Sequence, residues 1–343
     1  MCLFATSLAD NHGERSGSIR ILFITTDENN HLGARDRAQG DYFENMMLLG
    51  LRKLLGKDCV DYPRKRILYH DFSDVPRDSL HGRGFSLYHE PMQDIPDSAR
   101  DLTDQRFDVI LYGTVLANGM VRLPELEKKC SFRFFIDGND LYGVAQNDIY
   151  VYHDGERLIG NQQIPSFKGQ IITENPLVFP TGVGLPESRI LPIDLGKKTQ
   201  LFQKSCPAYA LFRYADESNR KHHVFHNEDE YYEDLAKSWF GLTCKRGGWD
   251  AMRHYEIIAA GTLALFRDYD RKPKYCAPMD MPTISYSSED ELSNIIDCLV
   301  DNGNPSPMYL RLLSQQRLWL INNCTIEARA KTALKVLEEY AKD

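Results

Sequence analysis

Short apolar runs that end in a glycine or an acidic turn, separated by helix-length segments, recur along this chain. That alternation narrows its fold more than any other feature. Residues 19–24 are almost continuously apolar, the pattern of a strand buried on both faces. A polar loop, 25–40, follows. Asp41 and Glu44 then make a D-x-x-E start similar to a capping box. Phe43, Met47, Leu51, Leu54 and Leu55 recur behind it at helical spacing, and Gly56 stops the helix. Residues 59–63 read as a second strand. Strand, helix and strand in this order form a βαβ unit, which implies a parallel sheet.

The pattern continues with a strand over 107–113, a short helix over 123–129 and a strand over 132–138 that ends in Asp137-Gly138. Ligands gather at the carboxyl ends of parallel strands, so Asp137 and Asp140 stand where an active-site carboxylate belongs. The plainer reading of Asp137-Gly138-Asn139-Asp140 is a turn. Residues 145–205 are less periodic and carry Pro176, Pro180, Pro186 and Pro192, as the end of one domain and a linker would. Strands are expected at 209–214, 239–244 and 262–266, and helices at 228–237, 251–260, from Ser288, from Ser306-Pro307 to about 321, and at 326–340. The expected division is a leader at 1–18, a first α/β domain at 19–195, a second at 200–320, and a terminal helix at 321–343 packing back toward the first domain.

Composition limits the partners. The chain has 343 residues, and 41 Lys and Arg against 49 Asp and Glu leave a net charge of −8. Tight non-specific binding to nucleic acid or to an anionic membrane needs a basic surface, so neither is expected. No stretch approaches the roughly 18 apolar residues of a membrane span. No Lys or Arg precedes the mildly apolar first residues, which argues against a signal peptide. Eight scattered cysteines without a C-x-x-C spacing read as reduced thiols of a cytoplasmic protein.

The most informative window is 245–270. Lys245-Arg246-Gly247-Gly248-Trp249 is a basic, glycine-bearing loop, Asp250 is placed to cap the next helix, and a strand follows Gly261. A glycine loop entering a helix offers backbone N–H groups and a favourable dipole to an anion. Arg253 and His254 in the first turn suit a diphosphate there. Glu256, three residues after Arg253, shares its helix face. Its carboxylate suits both hydroxyls of a ribose while Arg253 grips phosphate oxygens. The alternative is an ordinary surface ion pair. Trp249 is either core or a platform for a base or sugar. Weaker metal candidates are the histidines of 222–226 and the pair Asp268 and Asp270, and no bound metal is expected.

Lys245-Arg246-Gly247-Gly248-Trp249-Asp250, Arg253-His254-Tyr255-Glu256 and Ala259-Ala260-Gly261-Thr262 together resemble the donor-binding region of GT-B glycosyltransferases. The nearest likeness is to exostosin-like and related bacterial or viral sugar transferases. The resemblance covers about 40 residues in these motifs. It implies two Rossmann-like domains facing a cleft, and transfer of a sugar from a nucleotide diphosphate sugar to a hydroxyl of a glycan acceptor. It implies no cofactor beyond that co-substrate. Glu256 would meet the ribose, and Arg253 with Lys245 or Arg246 the diphosphate. Arg213 and Arg220 are further phosphate candidates. Many retaining members carry two glutamates eight residues apart, but Gly248 stands eight before Glu256. Inversion is thus left open, and it needs a base, for which Asp27, Glu28, Asp41 and Asp137 are the candidates. The alternatives are a non-catalytic nucleotide- or glycan-binding protein of this fold and a metal-dependent GT-A-type transferase.

Overall fold

The computed structural model describes residues 18–25, 41–69, 80–88, 91–113, 124–138, 150–151, 157–158, 165–171, 174–206 and 225–341. In the amino half the strands are β1 (Ile21–Ile24), β2 (Cys59–Tyr62), β3 (Phe107–Tyr112) and β4 (Cys130–Asp137). A small antiparallel pair follows, β5 (Tyr150–Val151) with β6 (Arg157–Leu158), and then β7 (Ser166–Lys168) and β8 (Val178–Pro180). Six of these form one parallel sheet in the order β2-β1-β3-β4-β7-β8. Strand β1 is buried on both faces, as its apolar run requires. Ile21 and Phe23 face one core cluster and Leu22 and Ile24 another.

Helix α1 (Tyr42–Leu55) begins at the expected place. The Asp41 carboxylate accepts the Glu44 amide at 2.8 Å, and Gly56 ends the helix at φ 56°. The short α2 (Pro124–Glu127) precedes β4. Strands β7 and β8 lie in the stretch expected to be an aperiodic linker. At three residues each they are too short to show a period, and β7 hides a polar side chain, Lys168.

The carboxyl half holds β9 (Gln200–Phe202), α3 (Glu228–Ala236), β10 (Ser238–Cys244), α4 (Met252–Ala259), β11 (Leu263–Arg267) and β12 (Ile284–Tyr286). Its strands are parallel in the order β9-β10-β11-β12. Helix α4 lies so close to β10 that a Cβ on Gly241 would stand 2.2 Å from Ile257 Cγ2. Helices α5 (Glu289–Leu299), α6 (Pro307–Asn323) and α7 (Ile326–Tyr340) complete it. Ser288, Ser306 and Thr325 cap them through their hydroxyls. The strand expected at 209–214 lies outside the described residues.

The last helix lies on the amino half. A Cβ on Gly50 of α1 would come within 2.6 Å of Ala330 Cβ in α7. The Tyr340 ring meets Phe134 edge-on at 5.0 Å. One apolar cluster therefore runs from α1 and β3 through Leu185 to Tyr255, Trp319 and Leu337, and joins the two halves. No helix among the described residues is long and apolar enough to cross a membrane.

Candidate functional site

The carboxyl ends of the strands bring chemistry to the seam between the halves. On the amino side, Asp137 closes β4 and Lys168 closes β7, and the two form a buried ion pair. Next to it the Gln170 Oε1 accepts the Trp249 amide at 2.9 Å, and the Gly169 carbonyl accepts the Ala277 amide at 2.8 Å. On the carboxyl side, β10 runs into the glycine loop, Lys245 to Trp249, and the loop into α4. The Arg246 amide turns back onto the Gly248 carbonyl at 3.0 Å, and Arg246 and Gly247 are exposed.

Asp250 does not cap the helix. The N-cap is Ala251, which makes no side-chain bond, and α4 starts at Met252. The Asp250 carboxylate instead accepts the Val183 amide at 2.8 Å and the Tyr255 hydroxyl at 2.7 Å. A partner 67 residues away, in the segment after β8, claims the oxygen that a local cap would use.

His254, expected at the diphosphate, is instead a core residue. Its ring is fully buried, with Nδ1 2.8 Å from Thr243 Oγ1 and Nε2 2.9 Å from the Trp249 carbonyl. A carbonyl only accepts, so Nε2 carries the proton and Nδ1 accepts from Thr243. Burial, aided by the Arg253 charge, lowers its pKa to about 3, and the ring stays neutral. It braces the glycine loop from beneath. Trp249 is buried with its ring against Phe266 at 6.1 Å, and its Nε1 finds no hydrogen-bond partner among the described residues.

Arg253 and Glu256 remain as the chemical pair of the window. Arg253 is partly exposed, and its Nη1 is buried with no hydrogen-bond partner among the described residues. Leaving such a donor unmet is costly, so an acceptor there would be favourable. Glu256 is 6% exposed. The Tyr231 hydroxyl donates to its Oε2 at 2.7 Å, and the Ser86 hydroxyl donates to Oε1. Burial raises the carboxyl above its ordinary range, while the two hydroxyls and the Arg253 charge pull it back down.

Ser86 comes from the amino half and was not among the residues expected here. The sequence offers one sign of it. His81-Gly82-Arg83-Gly84-Phe85-Ser86 alternates glycine with other residues, as a loop with left-handed turns does.

Asp41 caps α1, and Asp27, Arg213, Arg220, Asp140 and the histidines at 222 and 223 lie outside the described residues. Asp268 pairs with Arg267 at 3.4 Å and Arg271 at 3.6 Å, and Asp270 accepts the Ser285 hydroxyl at 2.5 Å. Among the described residues no three His, Cys, Asp or Glu side chains gather as a metal site would require.

Two α/β units with parallel sheets, packed with their strand ends toward a common seam, are the architecture of the GT-B fold. The resemblance first read from the 245–262 motifs thus holds for the fold as a whole. No family model matches the chain, and no curated protein does. Solved structures do match. The N-terminal domain of Candida albicans trehalose-6-phosphate phosphatase is similar at TM-score 0.52 and 10% identity, over 97% of this chain and 99% of that one. HepE of Anabaena in complex with UDP is similar at TM-score 0.50 and 11% identity, over 94% and 100%.

Proposed function

We propose that the protein is a glycosyltransferase. A nucleotide diphosphate sugar lies on the carboxyl half, and a hydroxyl of a glycan acceptor approaches from the amino half. The observation that carries this reading is Arg253 Nη1, buried and without a hydrogen-bond partner among the described residues, near Glu256 on the helix that follows the glycine loop. A guanidinium suits a diphosphate, which it can grip through two parallel bonds. Lys245 and Arg246 add positive charge, and Gly247 and Gly248 let the backbone come close. Glu256 would take the ribose hydroxyls. Arg213 and Arg220 are further phosphate contacts.

In the reaction, the bond from the anomeric carbon to the diphosphate oxygen breaks and the acceptor oxygen takes its place. The charge that develops on the leaving diphosphate is met by these cations and by main-chain amides, with no metal required. A base on the amino half takes the acceptor proton, with Asp27, Asp41 and Asp137 as candidates. For Asp137 this means releasing Lys168 to reach the acceptor, and for Asp41 giving up the Glu44 amide.

HepE, which shares the fold, binds UDP, so UDP is the first nucleotide to test. Nucleoside diphosphates are expected to raise the melting temperature without magnesium. Retention of full nucleotide affinity by Arg253→Ala and Glu256→Ala would falsify the donor site. Release of free nucleotide from a nucleotide sugar separates an enzyme from a binding protein of the same fold.

A further inference from the structure

The segment 80–88 crosses from the amino half to Glu256 on the carboxyl half. Leu80, Leu87 and Tyr88 are buried in the core at its two ends, and the Tyr88 hydroxyl accepts Asn45 Nδ2 at 2.6 Å. Its tip, 82–86, reaches the other half. Arg83 Nη1 donates to the Phe225 carbonyl at 3.0 Å and stands 3.1 Å from His226 Nδ1. The Ser86 amide donates to Glu228 Oε1 at 2.7 Å. The Ser86 hydroxyl lies 2.8 Å from the Tyr232 hydroxyl and donates to Glu256 Oε1. Phe85 packs on the Tyr231 ring with centroids 5.9 Å apart.

Two features stand out. Tyr231 and Ser86 place one hydroxyl on each oxygen of Glu256, the pattern a vicinal diol makes on a carboxylate. Tyr231 belongs to the same half as Glu256, whereas Ser86 does not. The tip is also held in a conformation that ordinary residues avoid. Gly82, Arg83, Gly84 and Ser86 have φ of 58°, 60°, 68° and 59°. Arg83 and Ser86 carry a Cβ there, and they are held by the contacts across the seam together with bonds inside the amino half, the Tyr42 hydroxyl on the Phe85 carbonyl at 3.3 Å and the Arg83 amide on the Leu80 carbonyl at 2.8 Å.

We propose that residues 82–86 are a latch, in which the Ser86 hydroxyl and a ribose hydroxyl compete for the same oxygen of Glu256. This rests on the donor reading above. The latch is anchored in the amino half, so it leaves Glu256 when the tip shifts off the carboxyl half and returns when no donor is bound. Donor affinity is then set in part by the fraction of molecules with the latch lifted.

Titration of UDP, GDP, ADP and dTDP into wild type, Ser86→Ala, Ser86→Gly and Arg83→Ala tests this by calorimetry. Ser86→Gly removes the hydroxyl and tolerates the left-handed backbone, so it isolates the hydroxyl. Arg83→Ala weakens the tip without touching Glu256. All three variants are expected to bind the preferred nucleotide more tightly, by about tenfold for the Ser86 changes. Hydrogen exchange at the Ser86 amide is expected to quicken when that nucleotide saturates wild type.

Unchanged or weaker binding by the variants, with wild type binding and Arg253→Ala not, removes the latch and leaves the donor site standing. Slower exchange at Ser86 with nucleotide bound also removes it. If no nucleoside diphosphate binds any of the proteins, both proposals fall.

Discussion

The Val183 amide donates to the Asp250 carboxylate at 2.8 Å and so ties the segment after β8 to the loop that opens α4. Gly182 makes this approach possible, since a Cβ there would stand 2.8 Å from Asp250 Oδ2 and 3.0 Å from the Tyr255 hydroxyl. The glycine loop is therefore held from the amino half, through Asp250 and through Gln170 on the Trp249 amide. Position in sequence suggests a helix cap for Asp250, but its bonds make it a strut between halves.

Asp250→Ala should lower stability by about 1–3 kcal/mol, because it leaves the Val183 amide and the Tyr255 hydroxyl without their acceptor. Gly182→Ala should destabilise too, by pushing the same carboxylate away. Urea unfolding of both variants checks this. Wild-type stability in each would show that the strut is dispensable.

Arg253→Ala should lower the melting temperature of the protein alone only slightly, since among the described residues its Nη1 has no hydrogen bond to lose and the loss falls on its charge beside Glu256. Affinity for a nucleoside diphosphate should drop at least about tenfold, the loss expected for a charge-assisted phosphate contact. Calorimetric titration with UDP and GDP reads the effect directly.

Lys168→Met should cost about 3–5 kcal/mol, because it removes the cation that pairs with the buried Asp137 carboxylate. The double change Lys168→Met with Asp137→Leu should recover most of that. A double change no better than the single would mean that the pair is not coupled. If Asp137 is also the base, Asp137→Asn should abolish transfer while leaving nucleotide binding intact.

Lys198 offers a pH test. It is buried at the end of α4, with its Nζ 2.8 Å from the Gly261 carbonyl and 3.0 Å from Thr262 Oγ1. Burial first, and the Arg317 charge second, lower its pKa to about 7, against about 10.4 for an unfolded lysine. Between those values the unfolded chain binds more protons, so this group makes stability rise with pH. Its contribution is complete above the unfolded value and lost as pH falls through about 7. Denaturant midpoints from pH 6 to 10 should climb more steeply for wild type than for Lys198→Met, and parallel curves would contradict the assignment.

Much of the scaffold was legible in the amino-acid order. Apolar runs such as 21–24 and 107–112 announce strands buried on two faces, and caps at Asp41, Ser288 and Ser306 mark helix starts through local bonds. The Arg253 and Glu256 pair was also visible, because their three-residue spacing puts both on one helix face. The strands at 166–168 and 178–180 were not, since segments of three residues have no measurable period and draw their identity from their neighbours in the sheet.

The sequence alone determined the βαβ rhythm, the parallel sheets it implies, and the basic glycine loop before α4. All of these are local, set by periodicity, capping and backbone freedom within a few residues. Only the tertiary structure decided that Asp250 bonds Val183, that His254 is a neutral brace, and that Ser86 covers Glu256 from 170 positions away. Such partners meet because two sheets far apart in sequence face each other across one shared core. The side chain that wins a buried acceptor is the one the packing brings nearest, and no local pattern records that distance.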